Sequence, residues 1–188
     1  LSSARNAGLK ICTSPYVAFV DSDDYIALDL YELLYGALQK TGADLAMCDI
    51  AIIRDNTDEA DQNISKMNHG AKDAQYKVFQ GQLSIFTNLF GPKYEQLGIG
   101  TFNKLYKTGI FYDLHFLEGK FCEDAFISVP LLLKIQRIVY VPEATYFYKV
   151  RPDSIMKDAN RLKLYEDAAE AAKLGVQLLS KKGKAYRQ

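Results

Sequence analysis

The sequence predicts an α/β fold in which a mostly parallel central sheet is flanked by helices, as in a Rossmann-like domain. Three observations support this prediction. Tyr16–Tyr25 starts with a continuous apolar run containing two valines and two aromatic residues, which is typical of a strand buried on both faces. Residues 28–40 then place apolar side chains at helical spacing, and Ala43–Ile53 is a second apolar run that predicts another sheet strand.

Composition indicates one compact domain and excludes several classes of protein. The chain has 188 residues, of which 48% are hydrophobic, so it can bury a sizeable core. Lys plus Arg and Asp plus Glu both number 23, so no excess of positive charge indicates a nucleic-acid partner. The two histidines, His69 and His115, are too few for a histidine-rich metal centre. Cys12, Cys48 and Cys122 form no C-x-x-C pair, which favours buried thiols in a reducing compartment.

The first predicted element is a helix over Ser2–Ile11. Apolar residues at positions 4, 7 and 11 have helical spacing, and Arg5 and Asn6 lie on another face. The segment Thr13–Pro15 ends this helix and leads into the first strand. Because the chain starts at Leu1 instead of a start methionine, we expect it to lack an upstream segment.

Three carboxylates follow the first predicted strand. In extended backbone Asp21 and Asp23 would point the same way, at the strand end where open α/β sheets bind ligands. Paired hard oxygen ligands favour Mg²⁺ or Mn²⁺, whereas Tyr25 and Ile26 exclude a calcium loop. The alternatives are an acidic turn that caps the next helix, for which Asp24 alone would suffice, and the D-x-D strand end of a haloacid-dehalogenase-type phosphatase.

The middle of the chain predicts a long loop and two further elements. Arg54–Lys77 is polar and aperiodic, which indicates either a mobile lid or a plain surface insertion. Gly81–Phe90 has helical spacing. Leu97–Phe111 is amphipathic and carries Asn103 and Lys104, which we interpret as either site residues or the edge of a surface helix.

The last part of the chain predicts a helix, two strands and a long C-terminal helix. Glu123 and Asp124 start a helix whose apolar face follows them, a position that the helix dipole favours without any catalytic role. Arg137–Pro142 and Ala144–Val150 are predicted strands. Residues 158–188 are predicted as a C-terminal helix whose basic tip either contacts a membrane surface or partner, or is solvated.

Taken together, these motifs resemble those of the family 2 glycosyltransferases, which have the A-type nucleotide-sugar transferase (GT-A) fold. LSSARNAGLK followed by AFVDSDDYI resembles the middle of that family's catalytic domain. The D-S-D sequence is similar to the family's D-x-D motif, which holds a metal that bridges the donor's diphosphate. EGKFCEDAF is similar to its E-D motif, in which the aspartate is the general base. The segment from Tyr146 to Met156 also resembles the family's bacterial branch, with Lys149 where arginine is commoner.

The resemblance implies a role for each matching residue. The implied metal ligands are Asp21 and Asp23, the implied donor-binding residues are Arg5, Asp21, Asp24, Arg151 and Ser154, the implied catalytic residues are Asp124 and Glu123, and the implied acceptor-binding residues are Asn103 and Lys104.

The resemblance also implies an inverting transfer from a nucleotide-diphosphate-sugar to a glycan or lipid-linked acceptor, with Mn²⁺ or Mg²⁺, in bacterial polysaccharide synthesis. We expect a cytoplasmic protein, at the inner face of the membrane if the basic tip binds there. The family's base-binding segment is not found before Leu1, so we expect this chain alone to bind donor weakly, and an open sheet edge to favour a homo-oligomer. Two alternatives stay open: a dehalogenase-type phosphatase with Asp21 as its nucleophile, and a non-catalytic carbohydrate-binding or scaffold module.

Overall fold

The computed structural model describes residues 1–53, 75–91, 99–150 and 161–185. Within them one six-stranded sheet is covered by helices on both faces, which confirms the predicted α/β class. The helices are α1 (Ser2–Ile11), α2 (Leu30–Thr41), α3 (Gln82–Leu89), α4 (Glu123–Leu132) and α5 (Arg161–Ala185), and the strands are β1 (Tyr16–Val17), β2 (Tyr25–Ile26), β3 (Leu45–Ile53), β4 (Lys77–Gln80), β5 (Lys104–Lys107) and β6 (Arg137–Lys149).

The sheet is mixed, so the prediction of a mostly parallel sheet was wrong. Its order is β1-β5-β3-β6-β2, and β4 also pairs with β6. β3 and β6 are parallel, whereas the other four pairings in the described sheet are antiparallel. An apolar run indicates that a strand is buried but not which way it runs, and here the short strands run against the central pair.

The centre of the sheet is β3, whose side chains alternate between two separate cores. Leu45 and Met47 pack with α3 and α4 on one face, and Ala46 and Cys48 pack with α2 on the other. All four side chains are fully buried. β3 is therefore the strand with the buried character that we predicted for Tyr16–Tyr25.

The segment Tyr16–Tyr25 is not one buried strand. It contains β1, an irregular stretch and a turn, and it ends where β2 begins; Val20 within it is 45% exposed. β1 lies at an edge of the described sheet, where β5 is its partner, so one side of it lacks a neighbouring strand. This edge position explains why an apolar run did not produce a strand buried on both faces.

The predicted helices are confirmed within the described ranges, whereas some of the other predicted segments differ in detail. α2 ends at Gly42, whose φ of +66° favours glycine. The strands predicted over 137–142 and 144–150 form one continuous strand, β6. The described part of Leu97–Phe111 contains the strand β5 and a 3₁₀ turn, Thr108–Phe111, so Lys104 lies on a buried strand and not at the edge of a surface helix.

The remaining points of the fold concern the predicted loop, the C-terminal helix, the cysteines and membrane-spanning helices. Nearly all of the predicted loop over Arg54–Lys77 and the start of the C-terminal helix, residues 158–160, lie outside the described ranges. Cys12, Cys48 and Cys122 are free thiols, but only Cys48 is buried as predicted, whereas Cys12 and Cys122 are half-buried. Across the described ranges, no helix combines the length and the apolar character that crossing a membrane requires.

Candidate active site

The candidate site is centred on the guanidinium of Arg5, which joins the two acidic motifs. Its Nη2 lies 2.8 Å from Asp21 Oδ1, and its Nη1 lies 2.8 Å from both Glu123 Oε1 and Asp124 Oδ1. The Arg5 side chain is 9% exposed. Burial lowers the pKa of Arg5, but the three carboxylates outweigh that effect and raise it, so the guanidinium stays charged. The fold thus brings the acidic turn and the start of α4 to one cation.

Hydrogen bonds hold helix α1 in an orientation in which Arg5 faces the carboxylates. Asn6 donates from Nδ2 to the Phe116 carbonyl and accepts the Phe116 amide at Oδ1, both at 2.8 Å. Ser2 Oγ donates to the Leu117 carbonyl at 2.7 Å. The Arg5 guanidinium also lies 5.2 Å from the centre of the Phe116 ring, a cation–π distance. These contacts fix the helix that carries Arg5, and so fix the position of its charge.

The acids that follow β1 lie in a turn and not in extended backbone. The Asp24 amide donates to the Asp21 carbonyl at 3.1 Å, so the extended backbone expected for Asp21 and Asp23 was wrong. The Tyr146 hydroxyl donates to Asp24 Oδ2 at 2.6 Å, and the Lys149 amide donates to Asp24 Oδ1 at 2.9 Å. Asp24 therefore attaches the turn to β6.

Burial has the largest effect on the pKa values of Asp24 and Tyr146. It raises the pKa of Asp24, and the charges of Asp21 and Asp23 raise it further, while the hydrogen bonds from Tyr146 and the Lys149 amide lower it. Burial and the bond to Asp24 raise the pKa of Tyr146, so its hydroxyl stays protonated and remains a donor. Each group keeps the other in the state that their hydrogen bond requires.

Asp124 is the carboxylate with the most complete set of donors in this site. The Thr101 hydroxyl donates to Oδ1 at 2.9 Å, and the Thr101 amide donates to Oδ2 at 3.2 Å. Burial raises the pKa of Asp124, Arg5 lowers it, Glu123 raises it, and the Thr101 bonds lower it; the net direction is upward. A carboxylate whose pKa is raised is a stronger proton acceptor, which is what a general base requires.

The two residues predicted to contact an acceptor are buried in the described structure, and their contact with an acceptor stays a prediction. Asn103 and Lys104 are 1% and 4% exposed. Asn103 donates to the Cys48 carbonyl, and the Lys104 ammonium donates to the Gly100 carbonyl, the Phe102 carbonyl and the Asn103 side-chain oxygen. Burial lowers the pKa of Lys104 to about 8. Both residues hold the turn before β5 together, because their polar groups are used within the turn and its neighbouring strand.

The two remaining predicted donor-binding residues, Arg151 and Ser154, lie outside the described residues. Sequence reasoning also missed three residues that build the site: Thr101, Tyr146 and Asn6. Asn6 stands beside Arg5 in the A-R-N sequence, which could have indicated its role. Tyr146 stands at the start of the segment that resembles the family's bacterial branch, but that segment did not indicate its contact with Asp24, and Thr101 gave no signal, because each acts on an acid far away in the sequence.

The residues present fit a hard divalent cation by their charge and ligand type. Arg5 carries one positive charge and pairs with three carboxylates, so this set has a net charge of minus two. Asp23 adds a further negative charge nearby. Asp21 bonds Arg5 through Oδ1, and its Oδ2 has no hydrogen bond among the described residues. In the described ranges no three or more His, Cys, Asp or Glu side chains form a ready metal site. A cation held by Asp21 and Asp23 would therefore need further oxygen ligands from a substrate or water.

A groove of about 580 Å³ lies elsewhere, between α3, the end of α4 and α5. Its lining includes Leu83, Phe86, Leu133 and Leu179 and contains none of the predicted site residues. This groove is therefore separate from the acidic site, which we identify from its charges and hydrogen bonds.

Comparison with known proteins gives consistent matches. Residues 1–112 match the model of the family described as Glycosyl transferase family 2. The chain is 31% identical over 159 residues to the glycosyltransferase GlyA of Streptococcus pneumoniae, covering 84% of this chain and 22% of GlyA. It is 27% identical over 180 residues to the glycosyltransferase GlyG of the same organism, covering 90% of this chain and 55% of GlyG. The chain thus spans about half or less of these relatives.

A solved structure supports the same fold. The crystal structure of S. aureus TarS residues 1–349 in complex with UDP-GlcNAc superposes with a TM-score of 0.63 at 19% identity. The match covers 95% of this chain and 52% of the TarS chain. At this identity the likeness is evidence for a GT-A fold and says nothing further about the site.

Proposed function

Because the chain belongs to glycosyl transferase family 2, we propose that it transfers a sugar from a nucleotide-diphosphate-sugar donor to an acceptor hydroxyl, with inversion at the anomeric carbon. One observation carries this proposal: Arg5 joins Asp21 of the acidic turn to Glu123 and Asp124 of α4. A transferase needs a group for the leaving diphosphate and a base for the acceptor within one cavity, and this contact brings candidates for both together.

The proposed base is Asp124. Its pKa is raised by burial, and it lies at the start of a helix beside a positive charge that would stabilise the carboxylate before the transfer. Glu123 shares Nη1 of Arg5 with Asp124, so Glu123 would orient the pair or an acceptor hydroxyl. A single base on the side opposite the leaving group gives direct displacement, which inverts the anomeric carbon.

Asp21 and Asp23 are the proposed ligands of Mg²⁺ or Mn²⁺. Such an ion, when bound, acts as a Lewis acid that stabilises the charge on a leaving diphosphate. Asp24 would keep these ligands in place, because its own oxygens are bonded to Tyr146 and to the Lys149 amide. The donor itself is proposed from the family and from the TarS complex with UDP-GlcNAc.

The other substrates and the location are proposals that follow from the family. We propose a glycan or lipid-linked acceptor, a role in bacterial polysaccharide synthesis, and a cytoplasmic position with the basic end of α5 at the membrane face. We also propose a homo-oligomer through the edge at β1, where one side of the strand lacks a partner in the described sheet. A dehalogenase-type phosphatase, the alternative weighed above, is not supported, because the chain belongs to another family.

The decisive experiment replaces the proposed base in the full-length protein. Asp124→Asn should lower kcat by about 100-fold to 10,000-fold, the usual contribution of a general base. Binding of the nucleotide-sugar, measured by calorimetry with Mn²⁺, should be retained. The control is Asp113→Asn, which makes the same chemical change at an exposed residue paired with Lys134. Normal turnover by Asp124→Asn would overturn the assignment of Asp124 as the base, whereas a wild-type protein without any turnover would favour the non-catalytic module.

A further inference from the structure

The threonine before β5 contacts the proposed base through both of its donors. Thr101 is 2% exposed, and its hydroxyl and amide reach the two different oxygens of Asp124, at 2.9 and 3.2 Å. Two bonds from one residue fix both the position and the rotation of a carboxyl group. Neither acidic motif nor the implied site residues include this threonine.

The two oxygens of Asp124 are not equivalent. Oδ1 accepts two donors, Arg5 Nη1 and the Thr101 hydroxyl. Oδ2 accepts one donor in the described structure, the Thr101 amide. A carboxylate oxygen has two lone-pair directions, so Oδ1 is filled and Oδ2 has one direction left.

The turn that presents Thr101 is held from inside the protein. The Tyr106 hydroxyl donates to the Thr101 carbonyl at 3.1 Å. The buried Lys104 ammonium donates to the carbonyls of Gly100 and Phe102, on either side of Thr101. Asn103 has a positive φ of 53°, in the left-handed region that asparagine adopts more readily than most other non-glycine residues. The position of Thr101 is therefore determined by a buried polar network.

We propose that Thr101 is a positioning residue for Asp124, and that Oδ2 is the oxygen of Asp124 that takes the acceptor's proton. The inference rests on the proposed function. In the step, the O–H bond of the acceptor breaks and its proton moves to Oδ2, while the acceptor oxygen bonds to the anomeric carbon. The bond from that carbon to the donor phosphate breaks, and its electron pair leaves with the diphosphate.

The charged and titratable groups around Asp124 come from several elements. Arg5 faces it from α1, Lys104 and Tyr106 act on it from β5, and Glu123 and Cys122 lie beside it in sequence. Thr101 adds a neutral donor to this set, and its bonds lower the pKa of Asp124. Removing the hydroxyl should therefore raise that pKa and leave all the neighbouring charges unchanged.

The test is Thr101→Val in the full-length protein, which removes the hydroxyl at nearly constant volume. We expect kcat to fall about tenfold, because a hydrogen bond to a charged group is lost, and the donor KM to stay within about twofold. The acid limb of the pH–rate profile should move up by about one pH unit, since a base with a higher pKa becomes protonated at higher pH. Thr101→Ser, which restores the hydroxyl, should recover both the rate and the profile.

The chain offers a matched control in Thr108→Val. Thr108 is also buried, and its hydroxyl has no hydrogen-bond partner among the described residues, so its removal should leave kcat and the pH profile unchanged. If Thr101→Val does not fold, as judged by circular dichroism and Tm, Thr101→Ala provides the same test with a smaller side chain.

The outcomes separate this inference from the proposed function. Wild-type kcat and pH profile in Thr101→Val, with Asp124→Asn inactive, would overturn the inference and leave the base assignment intact. Equal losses in Thr101→Ser and Thr101→Val would also overturn it, because the hydroxyl would then not matter. An active Asp124→Asn would overturn the assignment of Asp124 as the base, and with it the inference.

Discussion

Arg5 carries one positive charge between carboxylates from two distant parts of the chain, and this contact defines the site. Its planar fork reaches Asp21 through one nitrogen and Glu123 and Asp124 through the other. We predicted that Arg5 would face a nucleotide, and that role stays a prediction. In the described structure, the polar contacts of the Arg5 side chain are with acidic residues of this chain. Arg5 is thus placed to organise the acids, whether or not it also reaches a donor.

Arg5→Lys tests this role of the guanidinium. Lysine keeps the charge but lacks the fork, so one ammonium cannot hold three carboxylates in the same geometry. We expect the free energy of unfolding to fall by about 1–3 kcal/mol, and kcat to fall more than donor affinity. Urea unfolding and steady-state kinetics provide the measurements. Arg161→Lys, at an exposed position in α5, is the control and should change neither quantity. Wild-type behaviour of Arg5→Lys would mean that the fork is not needed.

Lys104 makes a pH-dependent contribution to stability. Its pKa is about 8 in the folded protein against 10.5 in the unfolded chain, so between these values the unfolded state binds more protons. Stability therefore rises with pH across this window, by up to roughly 3 kcal/mol. Tyrosines titrate in the same window, so the quantity to measure is the difference between wild type and Lys104→Met in urea unfolding at pH 7 and pH 10. An unchanged difference at the two pH values would contradict the account.

At the scale of elements, helices were predicted better than strands. α1, α2 and α4 have their expected positions because helical spacing reports directly which face is buried. The apolar run before the acids was wrongly predicted as a buried strand, because its sequence resembles that of β3. In the sheet, however, β1 lies at an edge and β3 in the centre. Only the pairing of distant strands distinguishes the two, and local sequence does not contain it. For the same reason the contacts of Thr101 and Tyr146 with distant acids could not be predicted.

The long helix α5 holds the loop that leads into α4. Asp167, which is fully buried, accepts the Phe121 amide at 3.0 Å through Oδ2 and the ammonium groups of Lys120 and Lys163 through Oδ1. This contact lies just before Glu123 and Asp124. α5 therefore fixes the start of the helix that carries the proposed base.

Asp167→Asn should destabilise the protein in a pH-dependent way. The hydrogen bonds from Lys163, the Phe121 amide and Lys120 lower the pKa of Asp167 from 3.8 to about 2 and outweigh burial, which raises it. The stability from its ionised form is therefore fully present above 3.8 and is lost as pH falls towards about 2. Thermal unfolding should show a lower Tm for Asp167→Asn at neutral pH and a shrinking difference from wild type in acid. Glu170→Gln, at the exposed partner of Lys120, should have the smaller effect. An equal Tm for both variants would contradict this role.

At the scale of the whole molecule, the chain is one sheet whose two faces are covered by helices, with the acidic site where α1, the turn after β1 and α4 meet. The fold class and the meeting of the two acidic motifs were predicted from the sequence through the resemblance to the family. The chain spans 22% of GlyA and 55% of GlyG, so the complete protein's activity stays a proposal.

The most direct test of the central claim, that the acids on Arg5 form one catalytic cavity, is a crystal structure of the full-length protein with Mn²⁺ and a non-transferable nucleotide-sugar. We expect Mn²⁺ on Asp21 and Asp23, the diphosphate on the metal, and Asp124 Oδ2 facing the anomeric carbon from the side opposite the diphosphate. A donor bound away from Asp124, with its anomeric carbon facing other residues, would contradict the account.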